Sequence, residues 1–308
     1  MSVTPQMIKE LREKTGAGMM DCKKALDENG GDFEKATDWL RTKGLASAAK
    51  KSSRTTAEGL VSLKVEGKTG IMLELNAETD FVAKNDQFIQ LVNDVTSELA
   101  SKKMTDVQAF KESKMADGAT VEEKIKAAVA VIGENINLRR VALAEVSNGT
   151  VISYVHNAAS EGMGKIGVLV ALETSSNDEK VAQAGKQIAM HIAASKPESL
   201  NVSELDPALV EREKNIFAEQ ARASGKPDSI IEKMIEGRVR KYYEEVVLLE
   251  QVFVMDGKTK ISQVLEDLSK EVGSKVEIKS FVRFALGEGI EKEQTDFAAE
   301  VAAAAGTK

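Results

Sequence analysis

Cysteine occurs once in the 308 residues, at Cys22. No intrachain disulfide can form, which fits a reducing compartment and an expected cytoplasmic location. Histidine occurs twice, at His156 and His191. Neither has cysteine or histidine partners at metal-site spacing, so no metal or other cofactor is expected. No apolar run approaches the length that crosses a bilayer. The opening MSVTPQMIKELREKT has neither an apolar signal core nor an arginine-rich presequence. Membrane association is therefore not expected. An excess of positive charge is missing too: 42 Lys and Arg stand against 49 Asp and Glu, a net charge of -7. That balance argues against direct nucleic-acid binding. Aromatic residues make up only 4%. With much Ala, Lys and Glu present, that scarcity points to helix.

What is present suffices for folding. Hydrophobic residues make up 42% and charged residues 30%, a soluble chain with apolar surface to bury. Its length implies two or more domains. Thr4-Pro5 reads as a cap followed by proline in the first helical turn. Ile8 and Leu11 give this helix an apolar face, and Gly16-Ala17-Gly18 breaks it. A second helix runs from Met19 through Leu26 and ends near Gly30-Gly31. A third starts at Asp32, packs Ala36, Trp39 and Leu40, and is expected to stop at Gly44. The stretch 45–57, LASAAKKSSRTTA, reads as a linker or frayed helix end.

Two strands are predicted over 59–65 and 70–75, joined by Glu66-Gly67-Lys68-Thr69. Phe88, Leu91, Val92, Val95 and Leu99 mark an amphipathic helix. A capping box at Thr120-Val121-Glu122-Glu123 opens another, with Val121, Ile125, Ala128, Val129, Ile132 and Ile136 on one face. Strands are predicted over 140–146, 151–155 and 166–172, then a helix holding Val181, Ala184, Ile188 and Ile192. Asp206-Pro207 opens a helical hairpin, turned by Gly225-Lys226-Pro227 and returning through Ile231, Ile235, Val239, Tyr242 and Val246. A helix ending at Gly273, a strand alternating from Val276 to Phe284, and an Ala-rich helix around Phe297 and Val301 complete the chain. The fold class is α+β. It divides into a three-helix N-terminal domain with linker (1–54) and two α/β core units (55–140 and 141–286). The second unit carries the hairpin at about 206–250, and a C-terminal helical module follows (287–308).

The two core units are related. IMLELNAET, ending at Thr79, aligns with IGVLVALET, ending at Thr174. Each stretch is a strand that runs into a helix, and those helices end alike, in Ala100-Ser101-Lys102 and Ala194-Ser195-Lys196. The repeat isolates one difference. Where the first unit has Asp80-Phe81, the second has Ser175-Ser176. The architecture can therefore make this turn without a ring or a carboxylate. Phe81 either folds back into its own core or stands exposed as an anchor for a partner's pocket. The sequence leaves both open.

Catalytic patterns are missing. Gly67-Lys68-Thr69 resembles the end of a phosphate loop, but Ser62 stands where that loop needs glycine. The segment is expected to be a hairpin turn. His191 lies in an apolar helix and reads as a packed ring. His156 follows a predicted strand, beside the loop SEGMGK, and is a candidate surface contact. Cys22 reads as packing rather than a nucleophile, and no nucleophile elbow is present. No enzyme is expected. What remains is contact surface: Met19-Met20 at a helix start, flanked by Arg12 and Lys23, and the apolar seam of the hairpin, which either packs on itself or pairs subunits.

These pieces together resemble the bacterial elongation factor Ts family. The matching stretches are LREKTGAGMMDCKKAL, EGLVSLKVEGKTGIMLELNAETDFVAKND, YVH, KIGVLVALE, QIAMHIAASKP and FVRFALGEGIEK, in order along the whole chain. The resemblance implies a ubiquitin-associated-like N-terminal domain, a two-part core, a coiled-coil hairpin and a C-terminal module. It implies nucleotide exchange on elongation factor Tu, bound in its GDP-loaded and nucleotide-free forms. By resemblance, Thr79, Asp80, Phe81 and Val82 enter that partner's G domain and disturb its magnesium site. Arg12, Met19, Met20 and Lys23 touch the same domain, and His156 touches another. A homodimer or a 2:2 complex is compatible with this reading. The alternative is a chaperone-like or scaffold protein that binds apolar segments.

Overall fold

The computed structural model describes residues 3–223 and 227–291. The N-terminal bundle comprises α1 (Pro5–Thr15), α2 (Met19–Glu28) and α3 (Phe33–Lys51). Thr4 caps α1 with its hydroxyl oxygen, which accepts from the Met7 N–H at 3.3 Å, and Pro5 occupies the first turn. Gly16 ends α1 in the left-handed region. Leu11, Cys22, Ala25, Leu26 and Ala36 form the buried centre. Trp39 is half-buried beside them, with the Lys43 ammonium 5.0 Å from its ring centre.

The third helix does not stop at Gly44. It continues to Lys51, so most of the expected linker is its last two turns. Gly44 is buried because this helix crosses another there: a Cβ would lie 2.6 Å from that of Ala130. The glycine permits close approach rather than ending the helix.

The first core unit comprises β1 (Glu58–Glu66), β2 (Thr69–Ala77), α4 (Asp86–Lys102), α5 (Val107–Glu112), α6 (Val121–Ile132) and β3 (Ile136–Glu145). The second comprises β4 (Gly149–Ser160), β5 (Met163–Thr174), α7 (Glu179–Ser195), the hairpin α8 (Pro207–Ala223) and α9 (Asp228–Val246), then α10 (Ile261–Val272) and β6 (Val276–Ala285). Each unit thus runs hairpin, helix, variable middle, helix, strand. In each, the last strand returns to pair antiparallel with the second. The repeat read from two strand ends extends through the whole topology.

Three expectations change. The capping box of Thr120 and Glu123 forms, but α6 ends at Gly133 (φ +90), so Ile136 belongs to β3 and not to the helix face. The strand expected to open the second unit closes the first, pairing from Thr69↔Glu145 to Ala77↔Ile136. This strand runs across residue 140 to Glu145, and β4 begins at Gly149. The SEGMGK segment is mostly strand and tight turn, not loop. Here β4 runs on to Ser160, and the Leu63 N–H donates to the Gly162 carbonyl at 2.9 Å.

That contact joins two three-stranded halves into one six-stranded sheet, where Val61 and Ser62 of β1 meet Gly164 and Met163 of β5. Phe88, Leu91, Val92, Val95 and Leu99 of α4 are all buried against the first half. A second core lies under α7 and α10. A third fills the layer between the halves, with Val61, Leu63, Met72, Leu169, Ala171 and Phe284. Strand β2 is covered on both faces, which explains its nearly continuous apolar run. Its charged exception, Glu74, is fully buried and receives Arg140 at 2.5 Å, Arg139 at 3.1 Å, the amide of the buried Asn76 at 3.0 Å and the Gly287 N–H at 2.9 Å. Burial alone would raise its pKa. These donors outweigh burial and hold it below the usual carboxylate range. The Ala-rich segment around Phe297 and Val301 and most of the C-terminal module lie outside the described residues, as do Gly225 and Lys226.

Candidate functional site: an exposed aromatic turn

The turn after β2 is fastened from beneath. The Thr79 N–H and hydroxyl donate to the Glu134 carboxylate at 2.9 and 2.6 Å. Glu78 accepts from the Asn135 N–H at 2.5 Å and pairs with Arg54 at 3.3 Å. The Asn135 side-chain amide in turn donates to the Arg54 carbonyl at 2.9 Å. Val82 is buried in the first core. One helical turn of 3-10 type, Val82–Lys84, leads to Asn85, whose side chain caps α4 by accepting from Gln87 and Phe88.

Between these fixed points, Asp80 and Phe81 project. Phe81 is 79% exposed, the highest value among the described large exposed hydrophobic side chains. Its backbone is ordinary right-handed helical, φ -65 and ψ -40, so no strain is needed to present it. Asp80 is exposed, with Lys84 at 3.8 Å. Of the four residues expected in this stretch, Val82 points inward and the Thr79 side chain is spent on Glu134. Asp80 and Phe81 are the two that face solvent.

The second unit supplies the comparison. Thr174 and Ser175 reach the Ser274 hydroxyl at 3.4 and 2.7 Å. Ser274 follows Gly273, the left-handed cap of α10; Glu134 follows Gly133, the left-handed cap of α6. Both units therefore tie the strand-end threonine to the residue after the last helix. Glu134 and Ser274 went unnoticed in the sequence. The glycine preceding each is the signal that aligns them.

Met19 and Met20 open α2 and are 59% and 74% exposed. Lys23 lies one turn on, and Arg12 is exposed on α1. A Cβ on Gly16 would lie 3.5 Å from both Gln87 and Val131. The cap of α1 thus lies beside Gln87 in the first turn of α4 and Val131 of α6. His156 is not brought to this site. It is exposed within β4 of the other unit, where its Nδ1 and the Tyr154 hydroxyl are 2.9 Å apart.

His191 is fully buried. The Val254 N–H donates to Nδ1 at 3.2 Å, so Nε2 carries the proton and donates to Gln251 at 2.8 Å. Burial pushes its pKa down, against the Gln251 hydrogen bond. Cys22 is buried, its Sγ 3.6 Å from the Ala17 carbonyl. Among the described residues, no group of three or more His, Cys, Asp or Glu is placed to hold a metal ion. No helix among them is long and apolar enough to cross a membrane.

Fold and site together define a class: an α+β scaffold of two like units, one of which holds an aromatic side chain out on a fastened turn. The family model for elongation factor TS matches residues 78–288. Elongation factor Ts of Paramagnetospirillum magneticum is 57% identical over 307 residues, 99% of this chain and 98% of that protein. Those of Rhodospirillum rubrum and Sinorhizobium medicae are 56% and 54% identical over similar spans. The chain belongs to the elongation factor Ts family.

Proposed function

We propose that this protein is the guanine-nucleotide exchange factor for elongation factor Tu, acting by contact and making or breaking no covalent bond. The observation that carries the mechanism is Phe81, presented on a turn whose counterpart in the second unit has only serines. The ring and Asp80 enter the partner's G domain and displace the surroundings of its magnesium ion. Mg²⁺ demands near-ideal octahedral geometry, so a small displacement weakens it and the GDP it bridges. Coupling is reciprocal: the factor loosens GDP by as much as GDP loosens the factor. Tenfold loosening needs about 1.4 kcal/mol of differential binding. A buried Phe brings roughly 1.5–3 kcal/mol through area alone.

Met19, Met20, Arg12 and Lys23 extend this contact along the same side, with the methionines as adaptable apolar surface. His156 contacts a different domain of the partner from the second unit. The three N-terminal helices form a ubiquitin-associated-like module, residues 1–54. The core divides into two units between β3 and β4. Both the GDP-bound and the nucleotide-free partner are bound, in the cytoplasm and without nucleic acid. The hairpin leaves Leu209, Ile216 and Ile230 exposed, which suits a second copy and a 2:2 complex.

The test is release of a fluorescent GDP analogue from elongation factor Tu. Substoichiometric protein accelerates release if the reading is right. Unchanged release, with capture of unfolded clients instead, would establish the chaperone-like alternative.

A further inference from the structure

A groove of about 670 Å³ runs between the end of α3, α6 and the start of β3. The exchange reading does not use it. Its floor is apolar, built from Ile125, Val129, Ile136 and Leu138. Its rim is basic: Arg54, Lys111, Lys126 and Arg139 line it, against the single carboxylate of Glu122. Glu122 already pairs with Lys126 at 2.5 Å. The Lys111 ammonium is partly buried and donates to the Asn137 side-chain oxygen at 3.1 Å. Among the described residues it has no ion pair with a carboxylate. Burial lowers its pKa, and the attraction of Glu122 offsets that only in part. The groove also lies along the outermost strand of the sheet, β3. Such edges are normally paired or covered.

The described chain ends at the lip of this groove. The Arg139 guanidinium donates to the Glu288 carbonyl at 2.5 Å, Ile290 is part of the lining, and Glu291 is the last described residue. The sequence continues as KEQTDFAAEVAAAAGTK, residues 292–308. Glu293, Asp296 and Glu300 outnumber Lys292 and Lys308, and Phe297 and Val301 stand four apart among alanines. Even at a helical rise of about 1.5 Å per residue, this length reaches roughly 25 Å.

We propose that the groove is the seat of the chain's own last residues, 292–308, with Phe297 and Val301 on the apolar floor and the acidic side chains against Lys111 and Lys126. The consequence reaches the aromatic turn. The groove wall includes Arg54 and Asn135, the residues that hold Glu78 beneath the turn. A seated tail braces the wall from outside.

The test uses the full chain with A302C carrying a nitroxide label, and reads its amide signals by NMR. Cys22 is buried and stays unlabelled. The expected result is loss of signal at Ala49, Lys126 and Asn137, with the α8 signals intact, at every protein concentration. Combining the label with K111E and K126E restores the lost signals. F297A restores them too, and it alters no described residue should the charge reversals disturb the fold. Intact groove signals, or losses on another face, would overturn the proposal. So would losses that grow with protein concentration, because the tail would then come from a second copy.

Discussion

Replacing Asp80 and Phe81 together by serine makes the first turn copy the second. Only about a fifth of the Phe81 surface is buried within the chain. At roughly 1.5–3 kcal/mol for a fully buried Phe, the ring contributes about 0.3–0.6 kcal/mol to folding. The exposed Asp80–Lys84 pair adds little. The double variant should therefore lose less than about 1 kcal/mol, whereas truncating a core Phe costs roughly 3–5 kcal/mol. On the partner the accounting reverses. The four-fifths now exposed are worth about 1.2–2.4 kcal/mol if buried there. At 1.36 kcal/mol per decade, acceleration of GDP release should fall roughly eight- to sixtyfold. Urea unfolding gives the first quantity, and stopped-flow release of labelled GDP gives the second. A core-sized loss of stability would show the ring to be structural. Release as fast as with the parent would show that it is not the tool.

Glu134→Ser copies Ser274 into the first unit and removes both acceptors of Thr79. Exchange should fall while Phe81 is still present, with a stability cost of about 1–3 kcal/mol by thermal melting. Gly44→Ala puts a methyl 2.6 Å from Ala130. It should cost about 1–3 kcal/mol through the α3–α6 crossing, whereas alanine at a mid-helix glycine with room would stabilise. His191 has a pKa below its unfolded value of 6.5, so the unfolded chain binds more protons. Its contribution to stability is complete above about pH 6.5 and is lost as pH falls towards the folded value. His191→Gln should flatten that decline in melting curves recorded across the range.

Local signals in the sequence carried far. Thr4-Pro5, Asp32 and the Thr120–Glu123 box place helix starts because a cap is chemistry within four residues. The Glu-Thr repeat exposed the odd turn because two copies of one design sit in the same chain. What was not legible depended on distant partners. Gly44 reads as a stop until α6 is seen against it. The strand β3 belongs to the first unit only through its pairing with β2. At six residues, α5 is too short to show a period. The resemblance put Val82 in the contact with Phe81, and only packing reveals that its side chain lies in the core. The Thr79–Glu134 tether spans 55 positions and leaves no local trace.

The same tethers bear on how a contact can become work on a partner. A ring on a loose turn would spend much of its binding free energy on ordering itself. Here the ordering is complete before contact: Glu134 holds Thr79, the core holds Val82, and Asn85 caps the helix that follows. Under the proposed exchange role, the energy of burying Phe81 would then be free to displace the partner's groups. Displacement also needs something to push against. If His156 and the second unit grip another domain of the partner, the load passes between units through Glu74, which draws β2, β3 and the segment after β6 onto one buried carboxylate. Stiffness at that junction decides which side yields. Under the proposed exchange role, a magnesium site that tolerates little distortion would lose its ion before the tethered turn gives way, and the wedge would open the partner rather than the factor.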